Sequence, residues 1–183
     1  SILGMLGVSS YILADTFFVS RALGAHGLAA LNLAIPVFYV VSGVGMMLGM
    51  GGATKFSVCR GQGDPERGNA VYRNILFFCS SAALLMMAAG ACLPRQLAAL
   101  LGANEETLLF TGIYLRWILL FSPAFICNNI LLCFVRNDGG PQLATAAMLI
   151  GNFSNIVLDY VLIFPMGLGI LGAVLATAIS PVI

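Results

Sequence analysis

Three charged side chains stand inside long apolar stretches of this sequence: Asp15, Arg116 and Asp159. On insertion scales a charge near the centre of a bilayer costs at least about 2.5 to 3.5 kcal/mol, so each needs a reason to be there. Arg116 has a ready one. With Tyr114 and Trp117 it falls in the first turns of its predicted span, where aromatic rings and snorkelling arginines anchor an interface. The aspartates are different, because each lies roughly five residues from the predicted outer end of its helix, about 7 to 8 Å below that boundary. Asn155 is one turn from Asp159 on the same helical face, and Thr177, on a helix returning inward, falls close to the level of Asn155. Two carboxylates, an amide and a hydroxyl at one depth make an oxygen cluster. Such a cluster replaces the water of a hard cation such as Na+, or it holds a proton, since desolvation and a like-charged neighbour both favour the neutral carboxyl. The alternative has each aspartate capping a helix, bonding a backbone amide or sitting in the headgroup layer.

The elements that carry these groups are helices in lipid. The chain is 60% hydrophobic and 8% charged, with a mean hydropathy of +1.01, against about 25% charged residues in soluble domains. A soluble fold of 183 residues has no room to hide that much apolar surface, so the excess faces a bilayer. A hydrocarbon core of about 30 Å takes roughly 20 apolar residues as helix. Spans are predicted at 1–20, 30–54, 73–93, 110–134 and 142–164, with a sixth starting near 169, each far too long for a strand. The fold class is an all-α polytopic membrane protein of about six transmembrane helices. Turn residues and charge collect between the spans, Asp64-Pro65-Glu66 and Gly140-Pro141 read as helix starts, and 94–101 reads as a short interfacial helix. Lys55, Arg60, Arg67, Arg73 and Arg136 fall on one side and Arg21 and Arg95 on the other, which places the first side, and the amino terminus, in the cytoplasm. The chain opens at Ser1 and closes at Ile183 inside apolar runs and reads as part of a longer protein, without the basic region of a cleaved signal peptide.

The other polar and special residues have plainer accounts. A net charge of +1 offers no field for nucleic acid. The five cysteines form no CxxC pair and read as small buried hydrophobes, and with one histidine they give no catalytic or metal-ligating constellation, so the chain is not read as an enzyme. Gly45 and Gly49 make a small-xxx-small pair for close helix packing. Asn128 and Asn129 either line a cavity or bond neighbouring helices. His26 is assigned to a short, solvated outer loop. Asn152-Phe153-Ser154 matches a glycosylation sequon but lies within a span. Pro36, Pro123 and Pro181 remove backbone bonds within spans, and Pro36 and Pro123 are the candidate hinges.

Ala14-Asp15-Thr16-Phe17-Phe18-Val19-Ser20-Arg21-Ala22-Leu23-Gly24, followed by Leu28-Ala29-Ala30-Leu31-Asn32-Leu33-Ala34-Ile35-Pro36, resembles the first-to-second-helix segment of multidrug and toxic compound extrusion (MATE) transporters. Arg136-Asn137-Asp138-Gly139-Gly140-Pro141 resembles the loop before that family's fifth helix, and the stretch from Asn155 through Asp159 and Pro165 to Gly172-Ala173 is similar to its fifth-to-sixth-helix segment. The resemblance covers essentially the whole chain. It implies two pseudo-symmetric six-helix lobes, with residues 1–183 forming most of the amino-terminal lobe and the second lobe absent. It also implies a secondary antiporter that exports organic cations and drugs in exchange for Na+ or H+, without cofactors, in a bacterial-type plasma membrane. The family's cation or proton site maps onto Asp15, Asn155, Asp159 and Thr177, with Asn129 as a looser cavity-lining match. Two other expectations remain: a related flippase for lipid-linked saccharides, which would line its cavity with basic residues, and an inactive half-transporter.

Overall fold

A computed structural model describes residues 2–182, with side chains at 7 and 9–181. Ser1 and Ile183, the ends of the first and last predicted spans, lie outside the described residues. The described chain is helical throughout: α1 (Ile2–Gly61), α2 (Pro65–Cys92), α3 (Pro94–Leu100), α4 (Glu105–Leu120), α5 (Ser122–Asn137), α6 (Pro141–Ile163), α7 (Ile170–Ile179) and a closing 3₁₀ turn (Ser180–Val182).

Sixty residues of straight helix would reach about 90 Å. Instead α1 breaks at Gly24, whose φ of 64° and ψ of −154° lie outside helical space in a region open to glycine. Tyr11 and Asp15 before the kink line one cavity with Leu31, Ile35 and Tyr39 after it, so the chain doubles back there. The predicted loop at 21–27 is therefore corrected to a one-residue kink, and His26 sits in helix. It is exposed, with Nδ1 3.6 Å from Glu106 Oε2.

The other helix starts follow their caps. The Asp64 carboxylate accepts from the Arg67 amide at 3.0 Å with Pro65 in the first turn, and Asn104 accepts from the Thr107 amide at 3.2 Å. Both helices consequently begin earlier than the hydropathy runs at 73 and 110. The fourth predicted span is broken: α4 stops at Phe121, and α5 leaves at 51° with Pro123 in its first turn. By length and composition α1, α2 and α6 each suffice to cross a bilayer, and the bent α4–α5 pair qualifies as a fourth span. With α1 doubled at Gly24 and α7 begun, the order agrees with the sequence reading, while the count of long helices is lower. Pro36 stays within regular helix; the break in α1 falls at Gly24 instead. Pro181 lies in the closing 3₁₀ turn.

Close packing of α1 on α5 rests on two glycines. A Cβ at Gly45 would stand 3.0 Å from the Ile126 Cα, and one at Gly49 3.0 Å from the Ile130 Cα. The core gathers Val19, Ala34 and Val41 of α1 with Ile75, Leu115, Ile118, Ile126 and Val174. Large apolar side chains such as Met47, Phe77, Leu85, Leu131 and Phe153 point outward while Asp15, Asn155 and Asp159 are buried, the reverse of a soluble protein and the arrangement lipid requires.

Candidate functional site

Asp15 comes from the first half of α1, Asn155 and Asp159 from one face of α6, and Thr177 from α7. Because α1 runs on to Gly24, Asp15 lies about 13 Å below that kink, deeper than its predicted place. Asp159 is 0% exposed, Asn155 2% and Asp15 8%. Asp15 and Asp159 lie within electrostatic reach of each other. Neither oxygen of Asp159, neither polar atom of the Asn155 amide, nor Oδ1 of Asp15 has a hydrogen-bond partner among the described residues. Helix capping does not account for these groups: caps are bonded, and these are not. The Thr177 hydroxyl donates to the Ala173 carbonyl at 3.1 Å, which leaves its own lone pairs available.

Two tyrosines complete the cluster and were not assigned to it from sequence. Tyr114 is 2% exposed, lines one small cavity with Asp15, Tyr11 and Thr177, and lies within electrostatic reach of Asp159. Tyr11 faces Asp15, Asp159 and Tyr39. The expectation that Tyr114 belongs to an interfacial belt is thus corrected. With α4 starting at Glu105, Tyr114 lies well within the helix and turns into the core, whereas Arg116 faces outward beyond the first turns and Trp117 packs on Phe121 at 6.2 Å. The signal for Tyr11 was its place one helical turn before Asp15.

Asp15, Tyr11, Tyr114 and Thr177 surround a cavity of about 50 Å³, enough for a water or a bare ion. Oxygen donors are the right chemistry for a hard cation, and the orphaned carboxylate and amide atoms fit Na+ or an added proton. Among the described residues no group of three or more His, Cys, Asp or Glu side chains is placed to hold a metal ion.

A second cavity of about 570 Å³ reaches the same site through Tyr11, Asn155 and Thr177, and is walled further by Phe38, Asn128 and Asn129. Among the described residues, none that lines it is charged. Its size suits a small organic molecule. Asn129 stands on its wall with Nδ2 donating to the Phe125 carbonyl at 2.9 Å, so this amide bonds its own helix while facing the cavity.

The MatE family model matches residues 1–161. The chain is 34% identical to the multidrug export protein MepA of Staphylococcus saprophyticus subsp. saprophyticus across 94% of its length, and 33% identical to MepA of Staphylococcus aureus (strain MRSA252). It spans 38% of the length of these curated relatives. Among solved structures it is similar to a MOP superfamily transporter from Pyrococcus furiosus, with a TM-score of 0.89 and 30% identity over 98% of this chain and 40% of that one. An outward-facing MATE family transporter of the same superfamily gives 0.88 at 30% identity over the same shares. An inward-facing one gives 0.82 at 31% identity over 94% of this chain and 39% of that one.

Proposed function

Since the chain belongs to the MatE family, the multidrug and toxic compound extrusion transporters, we propose that it forms the amino-terminal lobe of a secondary antiporter that exports organic cations and related drugs in exchange for Na+ or H+. The observation that carries this reading is the set of unpartnered buried atoms of Asp15, Asn155 and Asp159 beside an uncharged cavity large enough for a drug. Polar groups left without partners in a membrane interior are costly, and a coupling ion or proton at Asp15, Asn155, Asp159 and Thr177 removes that cost. Tyr11 and Thr177 line both cavities, so filling the small one bears directly on the walls of the large one. An ion that binds one conformer better shifts the equilibrium only by that difference in affinity, and neutralising a buried carboxylate pair is a sufficient source of it.

Binding and release without covalent chemistry is the activity that follows. The Arg60–Asp138 bond at 2.9 Å joins the ends of α1 and α5 on one face, and Lys55, Arg67 and Arg136 near it support a cytoplasmic assignment of that face and of the amino terminus. Reconstitution of the protein with the remainder of its transporter in liposomes tests the proposal. Gradient-driven efflux of a fluorescent organic cation, lost in Asp159→Asn, is expected. Undiminished efflux by that variant would demote Asp159 to a structural role.

A further inference from the structure

Away from the carboxylates, α2 and α5 bring two thiols into contact: Cys79 Sγ and Cys127 Sγ are 3.9 Å apart. Both cysteines are free. Cys79 is 4% exposed and lies midway along α2, hence near the centre of the bilayer, while Cys127 is exposed on α5 one turn beyond Pro123. Two sulfurs held together in hydrocarbon restrict what they bind. Zinc and its tetrahedral relatives want four ligands, and no third His, Cys, Asp or Glu joins the pair among the described residues. Monovalent soft ions accept two thiolates in line but leave a net negative charge in a low-dielectric interior, which is heavily penalised. A divalent soft ion that coordinates two ligands in line leaves a neutral bis-thiolate.

We propose that Cys79 and Cys127 form a two-coordinate site for a divalent thiophilic metal ion, the mercuric ion being the one whose linear geometry and neutral, lipid-soluble halide fit it. The reaction is an exchange without redox change. Two S–H bonds and two Hg–Cl bonds break, two Hg–S bonds form, and two molecules of HCl leave to water. With bonds of about 2.3 Å, as thiolates make to a d¹⁰ ion, a linear unit needs about 4.6 Å between sulfurs. The pair at 3.9 Å needs to open by less than about 1 Å to reach that distance, and the exposed Cys127 gives access. The bridge then ties α2 to α5 just past the bend at Phe121.

The test uses protein in detergent with Cys59, Cys92 and Cys133 replaced by serine, titrated with mercuric chloride and weighed by native mass spectrometry. The expected product carries one mercury in place of two hydrogens. With Cys127→Ser added, the product carries one HgCl in place of one hydrogen, and about a hundredfold less competing thiol strips it, because the second sulfur's effective concentration is lost. Two HgCl groups on the protein that retains both cysteines, or equal resistance to stripping in both proteins, overturns the proposal. Neither readout depends on transport, so the site stands or falls separately from the exporter reading.

Discussion

The two halves of α1 face neighbours on opposite terms. After Gly24, Gly45 and Gly49 bring its backbone onto α5 so closely that an added methyl would meet backbone atoms at 3.0 Å. Before Gly24, Asp15 faces α6 across a polar layer in which Asn155 and Asp159 are buried and unbonded. The first seam is satisfied by contact alone, the main source of helix association in lipid. The second is left incomplete, and in the proposed function it is where an ion or proton binds.

Gly49→Leu and Asp159→Asn, one at each seam, should therefore differ in sign as well as size. Gly49→Leu, which drives a branched side chain into Ile130 and Cys133, is expected to destabilise the protein by at least the roughly 1 to 3 kcal/mol typical of overpacking, read as a lower thermal unfolding midpoint in detergent. A variant as stable as the parent would show the seam to be loose. Asp159→Asn should do the reverse, raising stability by on the order of 1 kcal/mol, because an amide is cheaper to bury than a carboxylate. A clear loss would mean that the carboxylate holds the fold together. Tyr114→Phe removes a buried hydroxyl beside Thr177 in the small cavity and is expected to cost about 0.5 to 1.5 kcal/mol, with the response to ions weakened rather than abolished. Arg60→Ala is the control: its pair with Asp138 is exposed, and such pairs contribute about 0 to 1 kcal/mol. A larger drop would place a strong contact outside both seams.

The order of spans was legible because twenty-residue apolar runs have few other uses, and the helix starts at Pro65 and Pro141 because proline fits a first turn. The kink at Gly24 was hidden: it depends on one residue's φ, and Gly24 and Gly27 near Arg21 and His26 have the composition of a loop. Continuous apolarity likewise concealed the break at Phe121, although Ser122-Pro123 marks where a helix restarts. Asp15, Asn155 and Asp159 were singled out because charge and amide are expensive in lipid, and Thr177 because it falls near the level of Asn155. Tyr114 was misplaced for a different reason. Whether a tyrosine sits in a belt or in the core depends on where its helix begins, and the Asn104 cap moves that start to Glu105. The thiol contact between α2 and α5 depends on packing between distant segments, which no local pattern records.

Thermal unfolding of the parent and of Asp159→Asn across a series of Na+ concentrations at constant ionic strength, with a parallel series in pH, tests the account most directly. Binding to the folded state alone stabilises by RT ln(1 + [L]/Kd). The account predicts that the parent's midpoint climbs with Na+ or with acid while that of Asp159→Asn stays nearly flat. Equal responses in the two proteins would contradict it.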